Sequence, residues 1–220
     1  MSSTVKYQVG SAGRIIVEGG VELASYNLRK LSAIIVEKNG LSMNMERGIM
    51  TRLGIGDLRT ATDTDRALEM FRQRQPDMIF SDWAPGLDGI RFLRAVRNGS
   101  NSPNPFVPFV MISANTERHH ICKARDSGMS EFLAKPFTAT LIYSRICRVI
   151  ERAPLFVSTP NFFGPNRRRR KLEVLGRERR LERKLKVVDC RNKQVPFNWP
   201  ESRASDPGHN PAEARRIQRV

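Results

Sequence analysis

Five short apolar runs alternate with five amphipathic segments between residues 33 and 152, and this alternation limits the possible folds of the chain. The runs are rich in β-branched and aromatic residues, as are strands that are buried on both faces. The segments between them carry apolar residues at three-to-four spacing, which is typical of helices. Repeated strand-helix order predicts an α/β domain in which right-handed crossovers join parallel strands and helices cover both faces of the sheet.

An acidic residue stands at the carboxyl end of the third predicted strand. The apolar run Met78–Phe80 forms this strand, and Asp82 follows it. Pro85-Gly86 then marks a turn, and a helix is predicted to begin near Asp88. Open α/β sheets bind ligands outside the carboxyl ends of their strands, so Asp82 is the first candidate for a functional residue.

The positive charge of the chain is concentrated in its last quarter. The net charge is +16, and residues 167–220 contribute 17 Lys and Arg against 7 Asp and Glu. We therefore divide the chain into an N-terminal extension at 1–30, a domain at 31–153 and a basic, largely disordered tail at 154–220. A short helix is possible over 168–188, and the charge of the tail is suited to binding a polyanion such as nucleic acid or an acidic membrane surface.

The cysteines and histidines predict neither a disulfide framework nor a metal site. The three cysteines are widely spaced and lack a Cys-x-x-Cys pair, so they are expected to be reduced thiols. His119 and His120 are adjacent in a predicted helix and therefore point in different directions. The first 20 residues contain neither a secretory signal nor a membrane span, which leads us to expect a cytoplasmic protein.

Residues 33–152 resemble the receiver domain of two-component response regulators. The resemblance rests on five features in the expected order, which are Glu37, Asp82, the turn from Pro85 to Gly89, Ser113-Ala114, and Phe132 with Lys135-Pro136. It implies a flavodoxin-like, doubly wound parallel sheet of five strands in the order 2-1-3-4-5.

The resemblance also implies a function and a set of site residues. Asp82 is expected to accept a phosphoryl group, assisted by the ammonium of Lys135 and the hydroxyl of Ser113. Mg²⁺ is expected to bind Glu37, Asp82 and the backbone of Ala84. The chain would then be a bacterial single-domain response regulator that receives its phosphoryl group from a histidine kinase or a phosphotransfer protein, and not an enzyme beyond its own phosphorylation and dephosphorylation.

Two of these residues are also expected to act as a switch. In the family, the hydroxyl after strand four and the aromatic residue on strand five respond to the phosphoryl group, which here points to Ser113 and Phe132. The downstream partner is expected on the surface of helix four, strand five and helix five, around residues 119–125 and 143–152.

Lys38 departs from the family pattern. Receivers carry two adjacent acidic residues after strand one, and this chain has Glu37-Lys38. An ammonium in this position is expected to pair with Asp82 and weaken Mg²⁺ binding, since two unit charges about 4 Å apart interact by roughly 4 kcal/mol at intermediate dielectric. Lys38 would then stand in for the metal. The turn after Asp82 is also one residue shorter than is usual in the family, which shifts the carbonyl assigned to Ala84.

Two alternatives to a phosphorylated receiver follow from these departures. The first is a degenerate receiver that acts as a constitutive adaptor, with Asp82 held in an ion pair by Lys38. The second is a protein that binds nucleic acid or another polyanion through its basic tail, with the receiver regulating the tail.

Overall fold

The computed structural model describes residues 26–98, 102–151 and 154–166, and the backbone of four further short strands. Three of these strands, Gln8–Val9, Arg14–Val17 and Val21–Ala24, form an antiparallel sheet in the N-terminal extension. The fourth, Lys186–Val188, lies in the predicted tail.

A five-stranded parallel sheet forms the centre of the molecule. Its strands are β1 (Ser32–Val36), β2 (Asp57–Ala61), β3 (Met78–Asp82), β4 (Phe109–Ser113) and β5 (Glu131–Ala134). The helices that connect or follow them are α1 (Gly40–Arg52), α2 (Thr64–Gln73), α3 (Gly89–Asn98), α4 (Arg118–Asp126) and α5 (Ala139–Glu151). The strand order β2-β1-β3-β4-β5 confirms the predicted fold.

The period-two alternation of the strands divides the core into two layers. Ile35 and Phe80 face one layer, where they pack with residues of α1 and α5. Ile34 and Ile79 face the other layer, which α2, α3 and α4 cover. All five residues of β3 are buried, because this central strand has a neighbour on each side and helices on both faces.

Side-chain caps mark the beginnings of α1 and α2. The side chain of Asn39 accepts a hydrogen bond from the Ser42 amide at the start of α1, and Asp63 accepts one from the Arg66 amide at the start of α2. Such caps satisfy amides that have no partner within the helix. Both helices therefore begin within a few residues of the carboxyl end of the preceding strand.

A β-hairpin extends the ordered domain beyond its predicted end at residue 153. It consists of β6 (Phe156–Thr159) and β7 (Phe162–Pro165). The ring of Phe156 is 2% exposed, and its centroid lies 5.1 Å from that of Phe106. Aromatic residues just beyond the predicted boundary therefore bury against the domain.

The hairpin also covers a fully buried guanidinium. Arg97, near the end of α3, donates to the backbone oxygens of Gly128, Pro105 and Val107. Its guanidinium carbon lies 5.3 Å from the centroid of the Phe156 ring. Burial lowers the pKa of Arg97 to about 9.

The possible helix at 168–188 lies mostly outside the described residues, and its last three residues, Lys186–Val188, form a strand paired with β6. The fourth strand of the central sheet begins at Phe109, because the preceding Pro108 lacks the amide that a central strand needs. Within the described residues, no helix has both the length and the apolar character needed to cross a membrane.

Candidate functional site

The carboxyl edge of the sheet brings together predicted site residues from four strands. Glu37 follows β1, Asp82 ends β3, Ser113 ends β4 and Lys135 follows β5. The register of the sheet sets these positions, since Asp82 lies opposite Ile112, and the Lys135 amide donates to the Ser113 carbonyl at 2.9 Å. A crevice with one side chain from each strand end is thus a direct result of the parallel topology.

The ammonium of Lys135 is the centre of the charged cluster. Its Nζ lies 3.1 Å from Oδ1 of Asp82 and 3.4 Å from Oε1 of Glu46, and it also pairs with Oε2 of Glu37. The other oxygen of Glu37 accepts the Asn39 amide at 2.8 Å. One lysine therefore contacts three carboxylates, and the two that were predicted, Glu37 and Asp82, are both among them.

The charges in the cluster shift one another's pKa values. Burial raises the pKa of Asp82, and the charge of Lys135 opposes that shift. Burial alone would lower the pKa of Lys135, but the hydrogen bond to Glu37 and the charges of Glu46 and Asp82 raise it. Lys135 is therefore a permanent cation in this site, and Asp82 is less easily ionised than an exposed aspartate.

Sequence reasoning missed Glu46, which is the most deeply buried carboxyl of the cluster. It lies in α1 and is 0% exposed, and neither of its oxygens has a hydrogen-bond partner. Desolvation raises its pKa to about 7, although Lys135 acts in the opposite direction. The available signal was its spacing, since Met43, Glu46 and Met50 share one helix face and all three are buried.

The hydroxyl of Ser113 is directed at the loop that follows β3. It donates to the Trp83 carbonyl at 2.9 Å, and its oxygen accepts the Asn115 amide at 3.2 Å. His120 of α4 places Nε2 at 3.5 Å from the same oxygen. Ser113 therefore connects the residue after Asp82 with the first turns of α4.

An aromatic stack lies over this connection. The rings of Trp83 and His120 are nearly parallel, with centroids 3.4 Å apart and an interplanar angle of 15°. Nζ of Lys123 lies 5.6 Å from the centroid of the Trp83 ring. Burial, together with the charges of His119 and Lys123, lowers the pKa of His120, which favours the neutral imidazole in the stack. Sequence reasoning placed His120 within the predicted partner surface at 119–125 but did not predict that its ring stacks on Trp83.

The conformation of the turn after β3 determines the contacts of the Ala84 carbonyl and of the Lys38 ammonium. The amide of Leu87 donates to the Ala84 carbonyl at 2.9 Å, so this carbonyl already accepts one hydrogen bond. Gly86 has φ +81°, and a Cβ built on it would lie 2.7 Å from Nζ of Lys38. The ammonium of Lys38 thus lies over Gly86. The predicted ion pair between Lys38 and Asp82 is wrong, because Asp82 is paired with Lys135 instead.

Phe132, the predicted aromatic switch residue, lies on β5 and is partly buried. It packs against the core layer of α2, α3 and α4, as Trp83 and Met129 also do. Trp83 and Phe132 therefore contact the same layer, one at the end of β3 and the other on β5.

The chain itself covers part of the predicted partner surface on α5. The Tyr143 hydroxyl accepts a hydrogen bond from the Tyr26 amide at 2.9 Å, and the Tyr26 hydroxyl donates to Glu151 at 3.2 Å. Tyr143 is 7% exposed. A partner that binds residues 143–152 would meet the segment before β1 as well as α5.

Cysteine and histidine side chains do not form a metal site in the described part of the chain. Cys122 and Cys147 form no disulfide within the described residues, and Cys190 lies outside them. Within the same residues, no three His, Cys, Asp or Glu side chains are arranged to hold a metal ion.

Comparison with known proteins agrees with this architecture. A family model described as the response regulator receiver domain matches residues 33–147. Chemotaxis protein CheY-3 of Vibrio cholerae is 26% identical over 125 residues, which cover 56% of this chain and 95% of that protein. Chemotaxis protein CheY of Pseudomonas aeruginosa is 29% identical over 123 residues, which cover 56% of this chain and 98% of that protein.

A solved structure was also compared with the chain. It is the receiver domain of a sensor histidine kinase from Pseudomonas aeruginosa PAO1, with a magnesium ion coordinated in its active site cleft. It is 25% identical to the chain, with a TM-score of 0.47, and the match covers 54% of this chain and 94% of that chain.

Proposed function

The chain belongs to the response regulator receiver domain family, whose model matches more than half of it, and on this premise we propose that Asp82 accepts a phosphoryl group. The observation that carries the proposal is the contact of 3.1 Å between Oδ1 of Asp82 and Nζ of Lys135. Phosphoryl transfer requires mainly that the reacting groups be positioned and that their charge be neutralised. A buried carboxylate beside a permanent ammonium meets both requirements.

The proposed step is a displacement at phosphorus. A carboxylate oxygen of Asp82 attacks the phosphoryl group of the donor, and an oxygen-phosphorus bond forms while the bond to the leaving group breaks. With phosphohistidine as the donor, the imidazole nitrogen takes the electron pair of that bond and a proton. Lys135 stabilises the added negative charge, as charge-assisted hydrogen bonds from an ammonium do.

The residues around Asp82 do not fit Mg²⁺ in the way that the resemblance implies. Glu37, Asp82 and the carbonyl of Ala84 would hold the ion, but the ammonium of Lys135 contacts both carboxylates. Lys38 replaces the second acid, and no metal-binding group of side chains occurs within the described residues. The proposed reaction is therefore derived without a step at a metal ion.

We propose Ser113 and Phe132 as the residues that respond to the phosphoryl group. The Ser113 hydroxyl leaves the Trp83 carbonyl and donates to a phosphoryl oxygen, which removes one link between β4 and the loop after β3. His120 lies within 3.5 Å of the same hydroxyl, so the beginning of α4 would respond to this change. A two-state surface formed by α4, β5 and α5 would then bind a downstream protein.

The experiment that tests phosphorylation is the mass of the intact protein after incubation with acetyl phosphate. We expect the wild type to gain one phosphoryl group that hydroxylamine removes, as it removes acyl phosphates. The Asp82→Asn variant should gain none. A wild type that stays unmodified would instead support the adaptor alternative, with Lys135 and not Lys38 as the cation that is paired with Asp82.

The basic tail supports a second candidate function, the binding of a polyanion. The run from Arg167 to Lys171 opens a segment with ten more basic than acidic residues. If this segment binds DNA, the affinity should fall steeply with salt because counterions are released. Replacing residues 167–170 with glutamine should lower the affinity and make the salt dependence less steep, and an unchanged affinity would remove this candidate.

A further inference from the structure

We propose that Lys38 takes the charge-balancing role of a divalent cation, so that Asp82 is phosphorylated without a metal ion. The inference rests on the proposed function and deepens it. It begins with the position of Lys38, whose ammonium lies over Gly86 in the turn that follows β3. This turn begins two residues after Asp82, at the carboxyl edge of the sheet.

Topology places cations on both sides of the acceptor strand. Lys38 follows β1, which is the neighbour of β3 on one side, and Val36 of β1 lies opposite Ser81. Lys135 follows β5, on the other side of β3. The two lysines therefore follow strands that lie on opposite sides of the acceptor strand.

The charge of Lys135 alone is already shared by three carboxylates. Glu37, Glu46 and Asp82 all contact its ammonium. A phosphoryl group adds further negative charge to the same buried crevice, and an uncompensated charge there is unfavourable. A second cation at this edge of the sheet would offset the added negative charge.

Lys38 is suited to provide that second charge. Its side chain is exposed, and it forms no ion pair with a carboxylate of the described residues. A lysine ammonium is a compact point charge on a flexible chain, so it can move onto a phosphoryl oxygen. Lys38 thus differs from Lys135, which its carboxylate partners hold in place.

Gly86 provides the space for this ammonium. Its φ of +81° is a conformation that glycine adopts easily, and Nζ of Lys38 lies 2.7 Å from the position that a Cβ would take at this residue. The short turn therefore leaves space for the ammonium of Lys38. The site that lacks the second acid can thus hold a cationic side chain of the protein in place of a metal ion.

The reaction balances without a metal ion. With acetyl phosphate, an oxygen of the Asp82 carboxylate forms the new bond to phosphorus, and the bond between phosphorus and the acetyl oxygen breaks. Acetate leaves with the electron pair, and no proton is transferred. Lys38 and Lys135 stay protonated throughout and contact the phosphoryl oxygens.

The test measures the phosphorylation rate of the full chain with acetyl phosphate, in EDTA and in excess Mg²⁺. We expect the wild type to react in EDTA at a rate close to that in Mg²⁺. Lys38→Gln should react about tenfold more slowly in EDTA. Lys30→Gln removes an exposed lysine from the opposite edge of the sheet and should leave the rate unchanged.

Calorimetric titration with MgCl₂ gives a second readout that does not depend on phosphorylation. The wild type should show no saturable binding, whereas Lys38→Asp should bind Mg²⁺ and require it for phosphorylation. A wild type that reacts only with Mg²⁺, or a Lys38→Gln rate equal to that of the wild type in EDTA, would overturn the inference and leave the proposed function intact. A wild type that reacts under neither condition would overturn both.

Discussion

The carboxyl of Glu46 lies 3.4 Å from the ammonium of Lys135, the same ammonium that pairs with Asp82. Glu46 is completely buried and has no hydrogen-bond donor, so its charge depends on Lys135 for stabilisation. Burial nevertheless raises its pKa to about 7. The interior of the site therefore contains a carboxyl group that gains and loses a proton near neutral pH.

The first prediction is a pH-dependent stability that comes from Glu46. Glu46 has a pKa of about 7 in the folded protein and an ordinary pKa near 4.5 in the unfolded chain, so the folded protein binds the proton more tightly. The free energy of unfolding therefore falls as the pH rises from about 4.5 to about 7. The loss should be about 3 kcal/mol. Urea unfolding at a series of pH values measures it. Glu46→Gln should remove most of this loss, whereas Glu69→Gln, at an exposed position, should not. Parallel profiles of unfolding free energy against pH for the wild type and both variants would contradict the prediction.

A second prediction concerns Lys135→Met. This change leaves three carboxylates without their common cation, and breaking a buried pair in this way costs about 3–5 kcal/mol. The destabilisation should be largest above neutral pH and smaller near pH 5, because the buried carboxyls can then take up protons. Unfolding measurements at both pH values test this. An equal loss of stability at each pH would mean that Lys135 stabilises the protein through the packing of its aliphatic stem and not through its charge.

A third prediction uses the stack of Trp83 on His120. An imidazolium quenches indole emission, so protonation of His120 should lower the fluorescence of Trp83 as the pH falls. Because burial lowers the pKa of His120, the midpoint should lie below the usual histidine value of about 6.5. The measurement requires the Trp199→Phe background, since the chain has two tryptophans. His120→Asn should abolish the transition, and a transition that survives in this variant would assign it to another group.

The fourth prediction tests the hairpin as part of the domain. Phe156→Ala removes a ring that packs on Phe106 and Arg97 and should lower the free energy of unfolding by about 3–5 kcal/mol. Its neighbour Leu155 is 40% exposed, and Leu155→Ala should change stability by about 0.5 kcal/mol or less. Similar effects of the two changes would place the hairpin outside the cooperative unit.

Local sequence patterns are sufficient to predict the sheet and to place Asp82 at its carboxyl edge. The buried strands are apolar runs, and the carboxyl ends of parallel strands meet at one edge whatever the details of the loops. The strand order and the role of Lys135 beside Asp82 required the family resemblance. The boundaries failed where tertiary contacts decide them, as at the hairpin, where Phe156 buries against residues 50 positions earlier in the chain.

The remaining features of the site had no comparable local signal. A glutamate between two methionines on a helix is usually read as a solvent-exposed residue, yet the side chain of Glu46 is covered on all sides. The contact between Tyr26 and Tyr143 joins residues 117 positions apart. Lys38 was recognised as unusual from the sequence, but that its ammonium lies over Gly86 depends on the conformation of the turn.

The most direct test of the central claim is to locate the phosphoryl group by borohydride reduction and peptide mass spectrometry. Reduction converts an acyl phosphate of aspartate to homoserine, which marks the acceptor permanently. After treatment with acetyl phosphate, we expect homoserine at position 82 alone, and none when Lys135→Met is treated in the same way. Homoserine at another aspartate, or a phosphorylated protein with Asp82 unmodified, would contradict the assignment of the site.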